Sequence, residues 1–315
     1  MSETVLFGGA GAFPTAVQSA SYGNGTWVAA LDANCVLVST DSGVTWRRVA
    51  SVVTGLANAA GYFRNVAFSP VLGLFAATHT KASGCVWTSP DGITWTSHAL
   101  PGGITGGIVG SGTGAPGFVV SAAAGDSTAS SAGAYSTDGV TWTSVTFPTA
   151  VQVTAIKYGG GVWNLSSGLT QNTLLCSTNG TSWSVSVPSG WTTTTSLEYN
   201  SSSGRWAAGG SSTYSRSFRV STDGRIWRAV DMGGGYYVHG TSSGVVAFGD
   251  GFVFENTGSG APFGTELRYT ENFVNSIPVR LPNPTSWTGG AYMKSNGSQI
   301  ISFTLAGNLF TTIAQ

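Results

Sequence analysis

The feature that most constrains this chain is a short pattern written five times. Ser39-Thr40-Asp41-Ser42-Gly43-Val44-Thr45-Trp46 is followed by Ser89-Pro90-Asp91-Gly92-Ile93-Thr94-Trp95, Ser136-Thr137-Asp138-Gly139-Val140-Thr141-Trp142, Ser177-Thr178-Asn179-Gly180-Thr181-Ser182-Trp183 and Ser221-Thr222-Asp223-Gly224-Arg225-Ile226-Trp227. Their Trp residues stand 49, 47, 41 and 44 positions apart, a self-similarity that signals stacked repeats. In each copy an apolar run, such as Cys35 to Val38 or Phe218 to Val220, leads into an Asx and a Gly, and an alternating Thr/Trp segment leads out. Asp or Asn accepts backbone N–H groups inside a turn, and Gly adopts φ > 0 without a Cβ clash, so each copy reads as a hairpin. The Asp, Gly and Trp positions of the pattern are therefore read as structural.

A second unit recurs upstream, a Gly- or Asn-rich turn followed by an aromatic: Tyr22-Gly23-Asn24-Gly25-Thr26-Trp27, Tyr158-Gly159-Gly160-Gly161-Val162-Trp163 and Tyr199 through Trp206. One repeat then reads strand, turn, strand, loop, strand, Asx-Gly turn, strand. Four antiparallel strands in about 45 residues is a propeller blade. Projecting the period forward reaches Arg268-Tyr269-Thr270-Glu271-Asn272-Phe273 as a degenerate sixth copy with Phe in place of Trp. A seventh unit runs from Ser295 to Thr312 and stops before its fourth strand, which Thr4 to Gly8 would supply. The expectation is an all-β chain forming a single β-propeller over 1–315, with seven four-stranded blades near 17–50, 63–100, 106–147, 153–187, 194–230, 236–281 and 286–315 plus 1–9. Closing the ring with both termini leaves no exposed sheet edge. Phe254 to Thr265 is predicted to be a protruding loop.

Composition agrees. Glycine (46) and tryptophan (11) suit short strands, tight turns and aromatic fillers between layers. Charged residues make up 8%, about a third of the roughly 25% usual for soluble domains. Lys plus Arg equals Asp plus Glu at 13 each, so no long-range field would draw in nucleic acid or an anionic membrane. No apolar stretch is long enough to span a bilayer, and the N-terminus lacks the pattern of an export signal. Cys35, Cys85 and Cys176 are odd in number with no C-x-x-C spacing, and are read as buried free thiols. His79, His98 and His239 are scattered, so neither a metal site nor a cofactor is expected.

The pattern Ser-x-Asp-(x)-Gly-x-Thr-Trp resembles the Asp-box, and the chain resembles the BNR/Asp-box propeller superfamily known from sialidases, sortilin-type receptors, photosystem assembly factors and phage or bacterial surface proteins. The likeness is in register over residues 17 to 230 and weaker beyond. It implies that the boxes lie at the blade periphery, away from a ligand face, so that function does not follow from them. A sialidase would carry a Phe/Tyr-Arg-Ile-Pro motif; the nearest string, Tyr62-Phe63-Arg64-Asn65-Val66, departs at both later positions. Carboxylates outside the boxes are few, and no spacing unites the pair a glycosidase needs. The residues lean away from catalysis, leaving a sialidase-like glycoside hydrolase as an alternative.

If the Asx-Gly turn joins the third and fourth strands on one face, the opposite face carries the second-to-third loops and the blade connectors. Asp32, Arg64, His79, Lys81, Asp126, Trp191, Tyr214, Arg216, Asp231, Tyr236 and Tyr237 fall there and form the candidate ligand face, aromatic groups beside polar ones. Ser/Thr/Gly-rich composition and the resemblance to phage-encoded repeats lead to an expected role as a non-catalytic interaction or structural propeller. It would be a tail-associated or capsid-surface virion component contacting a host glycan or another virion protein, located on a virion or extracellular surface. A bacterial scaffold or lectin, including a cytoplasmic one, is the alternative.

Overall fold

The computed structural model describes residues 17–31, 35–50, 62–80, 84–102, 104, 107–122, 128–168, 173–187, 194–210, 217–231, 237–238, 244–257, 266–279, 292–303 and 309–314. Among them every regular element is a β-strand. The first sheet is an antiparallel meander of Val17–Gly23, Thr26–Leu31, Cys35–Ser39 and Arg47–Ala50. The same arrangement recurs in sheets whose inner strands are Phe63–Ser69, Val109–Gly110, Val153–Gly159 and Thr194–Asn200. In the sixth sheet the inner strand is split into Tyr237–Val238 and Val245–Phe248, both paired with Gly251–Thr257. A last sheet holds three described strands, Tyr292–Ser295, Gln299–Phe303 and Leu309–Ala314. Inner strands of successive sheets lie side by side, and Tyr292–Ser295 neighbours both Val245–Phe248 and Val17–Gly23. The chain is thus an all-β propeller with six complete blades and a further three-stranded sheet closing the circle. Residues 1–9, expected to complete that sheet, lie outside the described residues.

Local chemistry makes the hairpins. Between the first two strands Asn24 (φ 50°) and Gly25 (φ 74°) are both left-handed, as a two-residue turn matched to strand twist requires. In the Asx-Gly turn of the second blade, Ser89 Oγ accepts the Gly92 N–H (2.8 Å), while Asp91 Oδ1 accepts the N–H groups of Ile93 and Thr94 (2.8 and 2.9 Å). Trp95 Nε1 then donates to the Gly92 carbonyl at 2.9 Å. The third, fourth and fifth copies repeat the Ser-to-Gly and Asx bonds within a few tenths of an ångström. The longer first copy places its extra residue, Ser42, at φ 60° and keeps Gly43 bonded to Ser39 Oγ at 2.9 Å.

The turn glycine also works between blades. A methyl group added at Gly180 would lie 2.7 Å from the Tyr135 ring of the preceding blade, and one at Gly224 would lie 2.6 Å from the Asn164 amide. At Gly139 the nearest atom is Leu74 Cδ1 at 3.2 Å, and at Gly92 it is Val28, inside contact distance. At Gly43 it is Ile301 of the last sheet, 2.5 Å away. Backbone therefore packs on side chains of the neighbour at five places around the ring. The last-to-first junction adds a Gln299 Nε2 bond to the Ser42 carbonyl at 2.7 Å. Ile301 also joins Trp27, Leu37 and Trp46 in one buried cluster.

Three sequence expectations need correction. Phe273 does not replace the pattern's Trp. Its backbone N–H bonds Thr270 Oγ1 (2.9 Å) and Asn272 Oδ1 accepts the next two N–H groups, so Phe273 stands at the turn-glycine position with φ 58°. The strain of a left-handed side-chain-bearing residue, about 1 kcal/mol, is offset by a buried ring 5.6 Å from Phe218 and 5.2 Å from Phe252. The expected loop from Phe254 begins later, because Phe254 is buried within the strand Gly251–Thr257; residues 258–265 lie outside the described set. Of the three free thiols, Cys35 and Cys85 had the same expected burial, yet Cys85 is only partly buried.

Gly25→Ala and Gly92→Ala separate the two roles of glycine. Both have φ of +74°, but nothing lies within 4 Å of a methyl at Gly25. Gly25→Ala should cost about 1 kcal/mol; Gly92→Ala should cost about 3 kcal/mol through added overpacking. Guanidinium unfolding measures both, and equal losses would refute the inter-blade role. Phe273→Ala should cost about 3 kcal/mol in the same assay, since the lost ring outweighs any strain.

Candidate functional site

The inner strands surround a central cavity of about 310 Å³. In a four-stranded meander the first and third turns share one side of the ring. Asn24 Nδ2 shows this directly, donating to Gly73 O (3.0 Å) in a first turn and to Pro90 O (3.4 Å) in an Asx-Gly turn. Pro70, Ser201, Gly249 and Gly297, all in first turns, line the cavity. Its described wall therefore reaches the side carrying the Asx-Gly turns, opposite to the face expected from the sequence.

Three charged side chains meet inside. Lys157 Nζ lies 3.0 Å from Glu198 Oε2, and Lys294 Nζ lies 3.7 Å from Glu198 Oε1. The glutamate side chain is 13% exposed and the lysines 30% and 20%. Two of the chain's three lysines are thus spent here. Counting back from the last paired residue of each first hairpin, Lys157 and Glu198 share their register with Ser21, Ala67 and Val246. The fold accepts small or apolar residues at this level, so the charges are not a requirement of the architecture. Nearby, Asn65 fastens three sheets, donating to Ser19 Oγ (3.2 Å) and accepting from Val109 N–H (2.9 Å). Ser196 lines the cavity, is 4% exposed, and its Oγ has no hydrogen-bond partner among the described residues.

The sequence-expected ligand face is placed only in part. Asp32, Lys81, Asp126, Trp191, Tyr214, Arg216 and Tyr236 lie outside the described residues, and Asp231 and Tyr237 are located by backbone alone, at strand termini. Arg64 is half-buried with its guanidinium 5.8 Å from the Tyr62 ring. His79 is a correction: it is fully buried, edge-on to Phe63 at 5.3 Å, and burial holds its pKa below the ordinary histidine value. It belongs to the core because Leu74–His79 is buried on both faces from Phe75 onward, and its ring lies beside Phe63 and Trp87. Lys157, Glu198 and Lys294 went unnoticed in the sequence. Their signal was a charge inside an inner strand of a chain with few charges.

Other titratable groups serve the turns. The N–H groups of Thr141 and Val140 bring Asp138 down to about 2. Tyr269 donates to Glu271 Oε1 at 3.1 Å, and burial followed by that carboxylate pushes its phenol up to about 12. A phenol held neutral in this way is a donor, not a nucleophile. Among the described residues no three His, Cys, Asp or Glu side chains group closely enough to hold a metal ion.

No family model matches the sequence, and no curated protein matches it. Among solved structures, a chain of "Crystal Structure of Mitotic Checkpoint Complex" has a TM-score of 0.67 at 12% identity, covering 100% of this chain and 94% of that one. A chain of "YCF48 bound to D1 peptide" has a TM-score of 0.47 at 12% identity, covering 93% and 78%. At such identity the first likeness speaks to the propeller fold alone.

Because Asp138 titrates below its ordinary value of 3.8, its turn bonds stabilise the fold above that pH and lose their effect as pH falls toward 2. Asp138→Asn keeps the acceptor oxygen, as Asn179 does natively, and removes only the charge. Its melting temperature should fall below wild type at pH 7, and the gap should close between pH 4 and pH 2. A gap constant with pH would sink the assignment.

Proposed function

We propose that this chain is a non-catalytic interaction propeller, carried on a virus particle as a tail-associated or capsid-surface component, with another virion protein or a host surface glycan as its partner. The observation that carries the non-catalytic reading is the condition of Glu198. It is the one carboxylate lining the described cavity, and each of its oxygens faces an ammonium group. Glycoside hydrolysis by the common route uses two carboxyl groups flanking one bond, roughly 5 to 9 Å apart. A lone carboxylate between two lysines is suited to holding charge in place. The virion assignment draws on the low-charge, Ser/Thr/Gly-rich composition and on the resemblance to phage-encoded repeats.

Membership of the BNR/Asp-box superfamily belongs to the same reading, supported by the Ser, Asx and Trp hydrogen bonds repeated from turn to turn. So does a count of seven blades, in which the three-stranded sheet gains its fourth strand from residues 1–9. The Gln299 and Ile301 contacts to the first blade support a last sheet packed against the first.

Recombinant protein should bind immobilised virion proteins or a glycan array and show no turnover of aryl glycosides. Turnover that vanishes in Glu198→Gln would overturn the non-catalytic reading. Binding to neither particle proteins nor glycans would overturn the interaction reading.

A further inference from the structure

We propose that the central cavity is a binding site for a small oxyanion, a carboxylate or a phosphate, held between Lys157 and Lys294 in partial exchange for Glu198. The inference goes beyond the interaction role and does not require it.

The first reason is that the charges are dispensable to the fold. Drawing ammonium and carboxylate groups partly out of water is costly, and a buried ion pair is often no better than apolar packing. Blades with Ser21, Ala67 or Val246 at the level of Lys157 and Glu198 are built without that cost. Charge gathered in a cavity whose strands do not need it is a candidate binding site.

The second reason is geometry. Lys157 and Glu198 come from adjacent inner strands, whereas Lys294 comes from the last sheet, with Val245–Phe248 between it and Thr194–Asn200. At 3.7 Å the Lys294 contact is longer than the roughly 2.8 Å of a charge-assisted hydrogen bond. The Lys294 contact is thus a longer-range ion pair than the Lys157 contact, and an oxyanion entering the cavity meets ammonium groups from two sheets.

The third reason is Ser196. Leu197 packs into the hydrophobic core, so Ser196 and Glu198, two residues apart on one strand, share its opposite face, and both line the cavity. The Ser196 hydroxyl, buried and without a partner among the described residues, is the kind of group whose satisfaction calls for a ligand or water. A carboxylate with two acceptor oxygens, or a phosphate with four, offers acceptors to the ammonium groups and the hydroxyl that line the same cavity. The size agrees: about 310 Å³ corresponds to roughly ten waters, room for a small acid with some hydration.

Inorganic phosphate and acetate are titrated separately into the protein by calorimetry, with phosphate also followed by phosphorus NMR, and at least one should bind saturably with a dissociation constant on the order of millimolar. Saturation by phosphate alone, or by acetate alone, assigns the class within the proposal. Glu198→Gln removes the internal competitor and should tighten binding roughly tenfold; Lys294→Met should weaken it roughly tenfold, the scale of one charged hydrogen bond. A merely structural clasp would instead give a lower melting temperature in both variants and no saturable binding in any form. Failure of both probes to saturate the wild type, or equal affinity in Lys294→Met, overturns the proposal. Should Glu198→Gln not fold, the wild type and Lys294→Met still decide it. A protein that takes phosphate but captures no particle protein or glycan fails the interaction reading and keeps this one.

Discussion

The ring depends on one contact made repeatedly: a turn glycine pressed against the side chains of the preceding blade. Each four-stranded sheet can satisfy its own hairpins, but a propeller exists only if successive sheets settle face to face at a constant tilt. At Gly92, Gly139, Gly180 and Gly224 the approach is so close that a methyl group would collide or force its neighbour to shift. Glycine is demanded there twice, by a left-handed φ and by the absence of space. Ser Oγ and Asx Oδ1 then hold the turn by its own N–H groups, so the backbone that meets the neighbour arrives already rigid.

Phe273 shows what happens when that contact is solved differently. The turn keeps the same hydrogen bonds through Thr270 and Asn272 but carries a phenyl ring where the others carry nothing. The ring fills the junction between the fifth and sixth blades, stacking among Phe218, Phe252 and, through Phe218, Phe254. A backbone-to-side-chain junction has become an aromatic one. The pattern can therefore lose both its glycine and its tryptophan while the turn and its sheet are kept.

The interior of the ring obeys a different rule. Peripheral carboxylates such as Asp138 are consumed by backbone N–H groups, which leaves them ionised and chemically idle. At the centre, Glu198 is answered by ammonium groups from two other blades, a polarity that the strands themselves do not ask for. The charges bound up in the rim turns and the charge cluster of the cavity are thus separated in space.

Much of the fold was legible in the residues because its constraints are local. Asp91, Gly92 and Trp95 act within one turn, and their spacing announced an all-β propeller before any contact was known. The site was not legible, because it is assembled across the ring: Lys157, Glu198 and Lys294 stand far apart in sequence and carry no motif. The same limit explains His79, whose polar identity suggested a surface and whose place at the end of a buried strand put it in the core. It explains Phe273 too, where chain order could not tell which turn position the ring occupied. The sequence by itself determined the strand-turn repeat and the chemistry of each hairpin, since those interactions span a handful of residues. Only the tertiary structure decided which glycines touch the next blade and which charges meet at the centre, since closing a ring brings together residues that no local spacing relates.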